Sequence, residues 1–149
     1  MAGYAALTAA RIVETLGGQR ALKTRVLSLD ALRARLRIGL PYESLSALSA
    51  GYGIEVHDLS AILAIPMRTL ARRKKEKRLH ADESDRLFRV GRIAALAEET
   101  LGSKDKAKRW LQKPNRALGG AAPLRLLDTE LGARQVEDVL GRIAHGVYS

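Results

Sequence analysis

Residues 59–72 read LSAILAIPMRTLAR. Leu59 and Leu63 lie four apart, the spacing that puts two side chains on one face of a helix. Ala64 and Ile65 follow, and the residue before a proline avoids the helical region, so the first helix stops there. Pro66 suits the opening turn of a new helix, where its missing N–H is not needed. Leu70 anchors that second helix. The stretch predicts two short helices joined by a tight turn, with Ile65 plugging the turn and the second helix projecting outward.

Helical spacing continues on both sides. Upstream, a helix over about 8–16 is closed by Gly17 and Gly18. Another runs from Ser28 to Ile38, capped by Ser28 or Asp30, with Leu29, Leu32, Leu36 and Leu40 repeating along it. Gly39 and Pro41 end it. A third covers Tyr42 to Ala50 and stops at Gly51 or Gly53. Downstream of the opening stretch, Asp82 starts a long helix to Leu101 with Leu87, Val90, Ala94 and Ala97 on one face. Ser103 caps a helix to about Lys113. Residues 114–123, PNRALGGAAP, read as a loop. A last helix runs from about Ala133 to His145, with Val136, Val139, Leu140 and Ile143 inward. Hydrophobic residues make up 46% of the chain and aromatics 4%, so the core is built from Leu, Ile, Val and Ala. Ala and Leu favour helix. The expected fold class is all-α.

Charge is the next signal. The net charge is +10, which points to a polyanionic partner. Residues 66–79 hold seven basic side chains and one acidic one, with acidic segments on both sides. A charge run alone reads as a solvated helix face. Here it follows the apolar frame of 59–72, which resembles the helix-turn-helix of the Xre family of repressors. Ala64 sits where many relatives have glycine. The resemblance implies that the second helix enters the DNA major groove. Its outward residues would be Arg68, Thr69, Arg72 and Arg73, followed by Lys74, Lys75, Lys77 and Arg78. Arginine pairs bidentately with guanine edges, whereas lysine mainly holds phosphates. Arg68, Thr69 and Arg72 are therefore expected on bases and the later cations on the backbone.

Residues 107–149 carry a second resemblance. The elements Trp110-Leu111, Pro114-Asn115, Leu118-Gly119-Gly120, Pro123, Leu126-Leu127, Gly132, Val136, Leu140, Ile143 and Gly146-Val147 are similar in order and spacing to the toxin-binding domain of the Xre, MbcA and ParS antitoxins. That resemblance implies a partner, a RES-domain toxin that consumes NAD⁺, and a repressor of its own operon acting at operator DNA. The expected toxin-binding set is Trp110, Pro114, Asn115, Leu118, Leu126, Arg142, Val147, Tyr148 and Ser149. On physical grounds Trp110 is first a core anchor and second an interface residue. Pro114, Gly119, Gly120 and Pro123 fix a compact loop. The tail after Gly146 ends in a carboxylate, which can pair with arginine as a phosphate does. Val147, Tyr148 and Ser149 are either a frayed terminus or a plug for the toxin's NAD site.

Three segments are expected: N-terminal helices at 1–40, the helix-turn-helix region at 41–102 and the toxin-binding domain at 103–149. The first packs on the second or joins two copies, and repressors bind paired half-sites as dimers, so a homo-oligomer is expected. There is no cysteine, which suits a reducing cytoplasm, and no apolar run approaches a membrane span. His57, His80 and His145 are isolated, and the Gly pairs lack a strand–loop–helix setting. No catalytic group, metal, cofactor or small-molecule substrate is expected. The alternative is a stand-alone helix-turn-helix transcription regulator whose C-terminal domain only dimerises.

Overall fold

The computed structural model describes residues 9–26 and 28–146. In chain order the described residues form α1 (Ala9–Thr15), α2 (Gly18–Leu22), α3 (Leu29–Ile38), α4 (Tyr42–Tyr52), α5 (Val56–Leu63), α6 (Met67–Glu76), α7 (Ala81–Leu101), α8 (Lys104–Gln112) and α9 (Glu130–Ala144). Two 3-10 turns, Arg116–Leu118 and Pro123–Asp128, connect α8 to α9. The fold is all-α, as expected. Among the described residues one β-like pairing joins Pro41 to Arg78, where the strap between α3 and α4 crosses the strap between α6 and α7.

Local chemistry explains the helix starts. The Ser28, Ser103 and Thr129 hydroxyls accept from the N–H groups of Ala31, Lys106 and Gly132 at 3.1, 3.2 and 2.9 Å. Each satisfies an orphan donor in the first turn, worth about 1 kcal/mol. The Thr129 cap starts α9 at Glu130, three residues before the expected Ala133. Gly18 was expected to close a helix but opens α2, because Gly17 at φ +99 reverses the chain between α1 and α2.

Helix α7 is the central pillar. Leu87, Val90, Ile93, Ala94 and Ala97 are all buried along it, and α1, α3, α8 and α9 pack around it. At Gly91 the approach of α1 leaves no room for a side chain. A Cβ there would lie 2.9 Å from Leu16 Cδ2 and 3.0 Å from Thr15 Oγ1. The Thr15 hydroxyl lies 2.6 Å from the Ile12 carbonyl oxygen and 3.2 Å from that of Gly91. Gly132 does the same for α9, since its Cβ would collide with the Leu126 carbonyl.

Polar ties close the remaining seams. The buried Tyr52 phenol donates to Glu98 Oε1 at 2.8 Å, and Gln112 Nε2 donates to the Tyr52 carbonyl at 2.8 Å. Burial, and then the bond to Glu98, push the phenol's pKa up and keep it a donor. Arg92 on α7 pairs with Glu137 on α9 at 2.8 Å. One hydrophobic cluster runs from Ile12 to Leu140 and takes side chains from all three segments drawn on the sequence. The segments 1–40, 41–102 and 103–149 therefore share a core.

Candidate functional site

Helices α5 and α6 form the expected pair. Leu59, Leu63, Ile65 and Leu70 are each no more than 2% exposed. Ala64 ends α5 in the left-handed region at φ +54, and the chain turns through Ile65 and Pro66 into α6. The Ser60 hydroxyl donates to the Ile65 carbonyl at 2.5 Å, and Arg86 Nε on α7 reaches the Leu63 carbonyl at 2.7 Å. The turn is thus fixed from inside by Ile65 and from behind by α7. A left-handed alanine costs roughly 1 kcal/mol relative to glycine. Ala64→Gly is therefore expected to stabilise the fold by about 0.5–1 kcal/mol, read as a higher urea midpoint with unchanged DNA affinity.

Helix α6 divides the basic run into faces. Leu70 and Arg73 face the core. At 3.6 residues per turn, Arg68, Arg72 and Lys75 fall on the opposite side within an arc of about 60°, and all three are exposed. Thr69 is half-buried at the edge of that stripe. Lys74 and Lys77 are exposed, but they turn toward the side where α4 begins and line a cleft there with Arg78.

Arg73 corrects the expectation that it contacts DNA. It is 6% exposed. Its Nε and Nη2 donate to the two Glu83 oxygens at 2.7 and 3.0 Å. Nη2 also meets His80 Nδ1 at 3.1 Å, and because a guanidinium only donates, that nitrogen accepts. Glu83 also takes the His80 backbone N–H at 2.8 Å, capping α7. Burial raises the Glu83 pKa, but the hydrogen bonds from Arg73 and His80 and the Arg73 charge outweigh it and hold the carboxyl below its ordinary range. The same bond to Glu83 raises the Arg73 pKa, with burial opposing it. Arg73 is the bolt that fastens α6 to α7. The available signal was its position three residues after Leu70, on the buried face.

The C-terminal candidates sit on elements that pack side by side. The turn Pro123–Asp128 touches α5, α7, α8 and α9, and the turn Arg116–Leu118 touches α9. Trp110, Leu118 and Leu126 are half-buried against the core, as is Ile143. Pro114 and Arg142 are exposed. The Asn115 side chain accepts from the Ala117 N–H at 2.9 Å, and its backbone exchanges bonds with Gly120 and Ala121. Asn115 therefore organises its own loop. Val147, Tyr148 and Ser149 lie outside the described residues. Arg125 of the second turn pairs with Asp58 on α5 at 3.2 Å, so the C-terminal elements rest directly on the first helix of the pair.

Residues 31–92, from α3 into α7, match the antitoxin Xre-like helix-turn-helix domain. Residues 96–146 match the antitoxin Xre/MbcA/ParS C-terminal toxin-binding domain. A protein of Pseudomonas putida named Antitoxin Xre is 48% identical over 83 residues, 55% of this chain and 52% of its own length. The alignment thus spans about half of that relative. An Antitoxin Xre of Photorhabdus laumondii subsp. laumondii is 38% identical over 120 residues, covering 79% of this chain and 81% of that protein. Another, of Yersinia enterocolitica, is 33% identical over 116 residues, 76% and 78% respectively. With both domains matched in order and relatives aligned over most of their length, the chain belongs to the Xre antitoxin family.

Proposed function

We propose that this chain is the antitoxin of a type II toxin–antitoxin system. It binds a RES-type, NAD-degrading toxin and blocks the toxin's active site, and it binds operator DNA to repress its own operon. The observation that carries this reading is the match of residues 96–146 to a toxin-binding domain. The half-buried apolar side chains of that segment, Trp110, Leu118 and Leu126, are suited to an interface, because they are anchored in the core yet keep part of their area to bury on a partner. Arg68, Arg72 and Lys75 supply the exposed cationic stripe for DNA. Two copies acting on paired half-sites complete the repressor.

The test is co-expression with a RES-domain toxin, scoring growth, NAD⁺ content and co-purification. Rescue with a stable complex is expected; continued toxicity at equal protein levels would overturn the toxin assignment. Residues 147–149 are assigned to the contact that blocks the NAD site. Removing them is expected to restore NAD⁺ loss while the truncated chain keeps its melting temperature. Full neutralisation by the truncated form counts against the plug.

A further inference from the structure

Lys74 of α6 and the cations of the strap that follows it meet others from distant parts of the chain. Lys74, Lys77 and Arg78 line a cleft of about 630 Å³ together with Lys23, which follows α2, and Arg35 of α3. One carboxylate, Glu43, faces these five cations. The first turn of the eleven-residue α4 opens on the same cleft through Tyr42 and Glu43, adding the positive end of its dipole.

None of the five cleft cations forms an ion pair with a described carboxylate, so their charge is open to an anion. Arg35 Nη2 donates to the Leu22 carbonyl at 3.3 Å, which fixes its guanidinium at the wall of the cleft.

We propose that this cleft holds a backbone phosphate of the DNA bound by α6, so that Lys23 and Arg35 extend the footprint into the N-terminal helices. The proposal rests on the DNA-binding reading above. Continuity with α6 favours DNA over a free phosphate compound. The N-terminal residues of a recognition helix read the bases, which leaves the last turn of α6 toward the flanking backbone; Lys74 lies on that turn and Lys77 caps it.

The test compares the wild-type chain with Lys23→Gln/Arg35→Gln, binding an operator-region duplex and a random duplex over a range of salt. Losing one phosphate contact is expected to reduce the slope of log affinity against log salt by about 1 and to weaken both duplexes equally, on the order of tenfold. Lys23→Gln alone, at an exposed side chain, is expected to act in the same direction without lowering the melting temperature. Unchanged slope and affinities in a wild-type chain that binds DNA overturn the cleft alone. Absence of salt-dependent binding by the wild type overturns both readings. A melting shift with inorganic pyrophosphate at constant ionic strength, lost in the double variant while its DNA slope is unchanged, overturns the DNA assignment in favour of a soluble phosphate compound.

Discussion

Glu83→Ala is expected to destabilise the folded chain by about 3–5 kcal/mol, the range for breaking a buried ion pair from one side. Glu83 is 5% exposed and Arg73 6%. Without the carboxylate the guanidinium stays buried with the exposed Glu76 as its remaining carboxylate, 3.4 Å away, and α7 loses its cap at His80. Much of the cost is that stranded charge rather than the worth of the pair itself. Arg73→Met/Glu83→Leu is therefore expected to recover most of the loss, because an apolar pair strands nothing. Urea denaturation of the wild-type chain and the two variants checks this. A loss below about 1 kcal/mol for Glu83→Ala would show that the pair is more solvated than its burial indicates. The pH dependence has a definite sign. The Glu83 pKa is lowered in the folded chain, so its stabilisation is fully present above the unfolded carboxylate pKa, about 4.3. It is lost as pH falls from there through the lower folded value. The wild-type chain is expected to lose stability over that interval more steeply than Glu83→Ala.

This pair also marks where sequence reading runs out. The apolar frame of 59–72 was legible because Leu59, Leu63, Ile65 and Leu70 speak through spacing alone, and all four are buried. The cations between 68 and 78 look alike in sequence; only the packing of α7 against α6 decides that Arg73 turns in, that Arg68, Arg72 and Lys75 turn out, and that Lys74 turns to the cleft. The cleft itself joins Lys23, Arg35 and Lys77, which lie too far apart in sequence for periodicity to relate them. At the C-terminus the pattern from Trp110 to Gly146 disclosed a family before it disclosed any contact. The structure adds that Asn115 braces its loop and that the Leu126 turn rests on α5 through Arg125 and Asp58. Segments that read as separate along the chain are thus layers around α7, and the elements matched to the C-terminal domain touch the first helix of the helix-turn-helix.

Arg68→Ala/Arg72→Ala is expected to weaken operator binding by about 2–6 kcal/mol, roughly 30-fold to 20,000-fold. Each arginine that pairs bidentately with a guanine edge contributes about 1–3 kcal/mol of discrimination, and separate base positions add. Both side chains are exposed and neither forms an ion pair with a described residue, so the fold is expected to shift by no more than about 0.5 kcal/mol. Binding to random duplex is expected to fall far less, since Lys74, Lys75 and Lys77 still hold phosphates. Neutralisation of the toxin is expected to be unaffected, because both residues lie on α6, outside the matched segment 96–146. Gel-shift titrations on operator and random DNA, beside the co-expression assay, separate these effects. Equal loss on both duplexes would reassign Arg68 and Arg72 to the backbone, and undiminished operator binding would move the reading surface off α6. The opposite variant, lacking residues 147–149, is expected to repress and fail to neutralise. Two such variants with reciprocal defects would establish that one core built on α7 supports two independently separable surfaces.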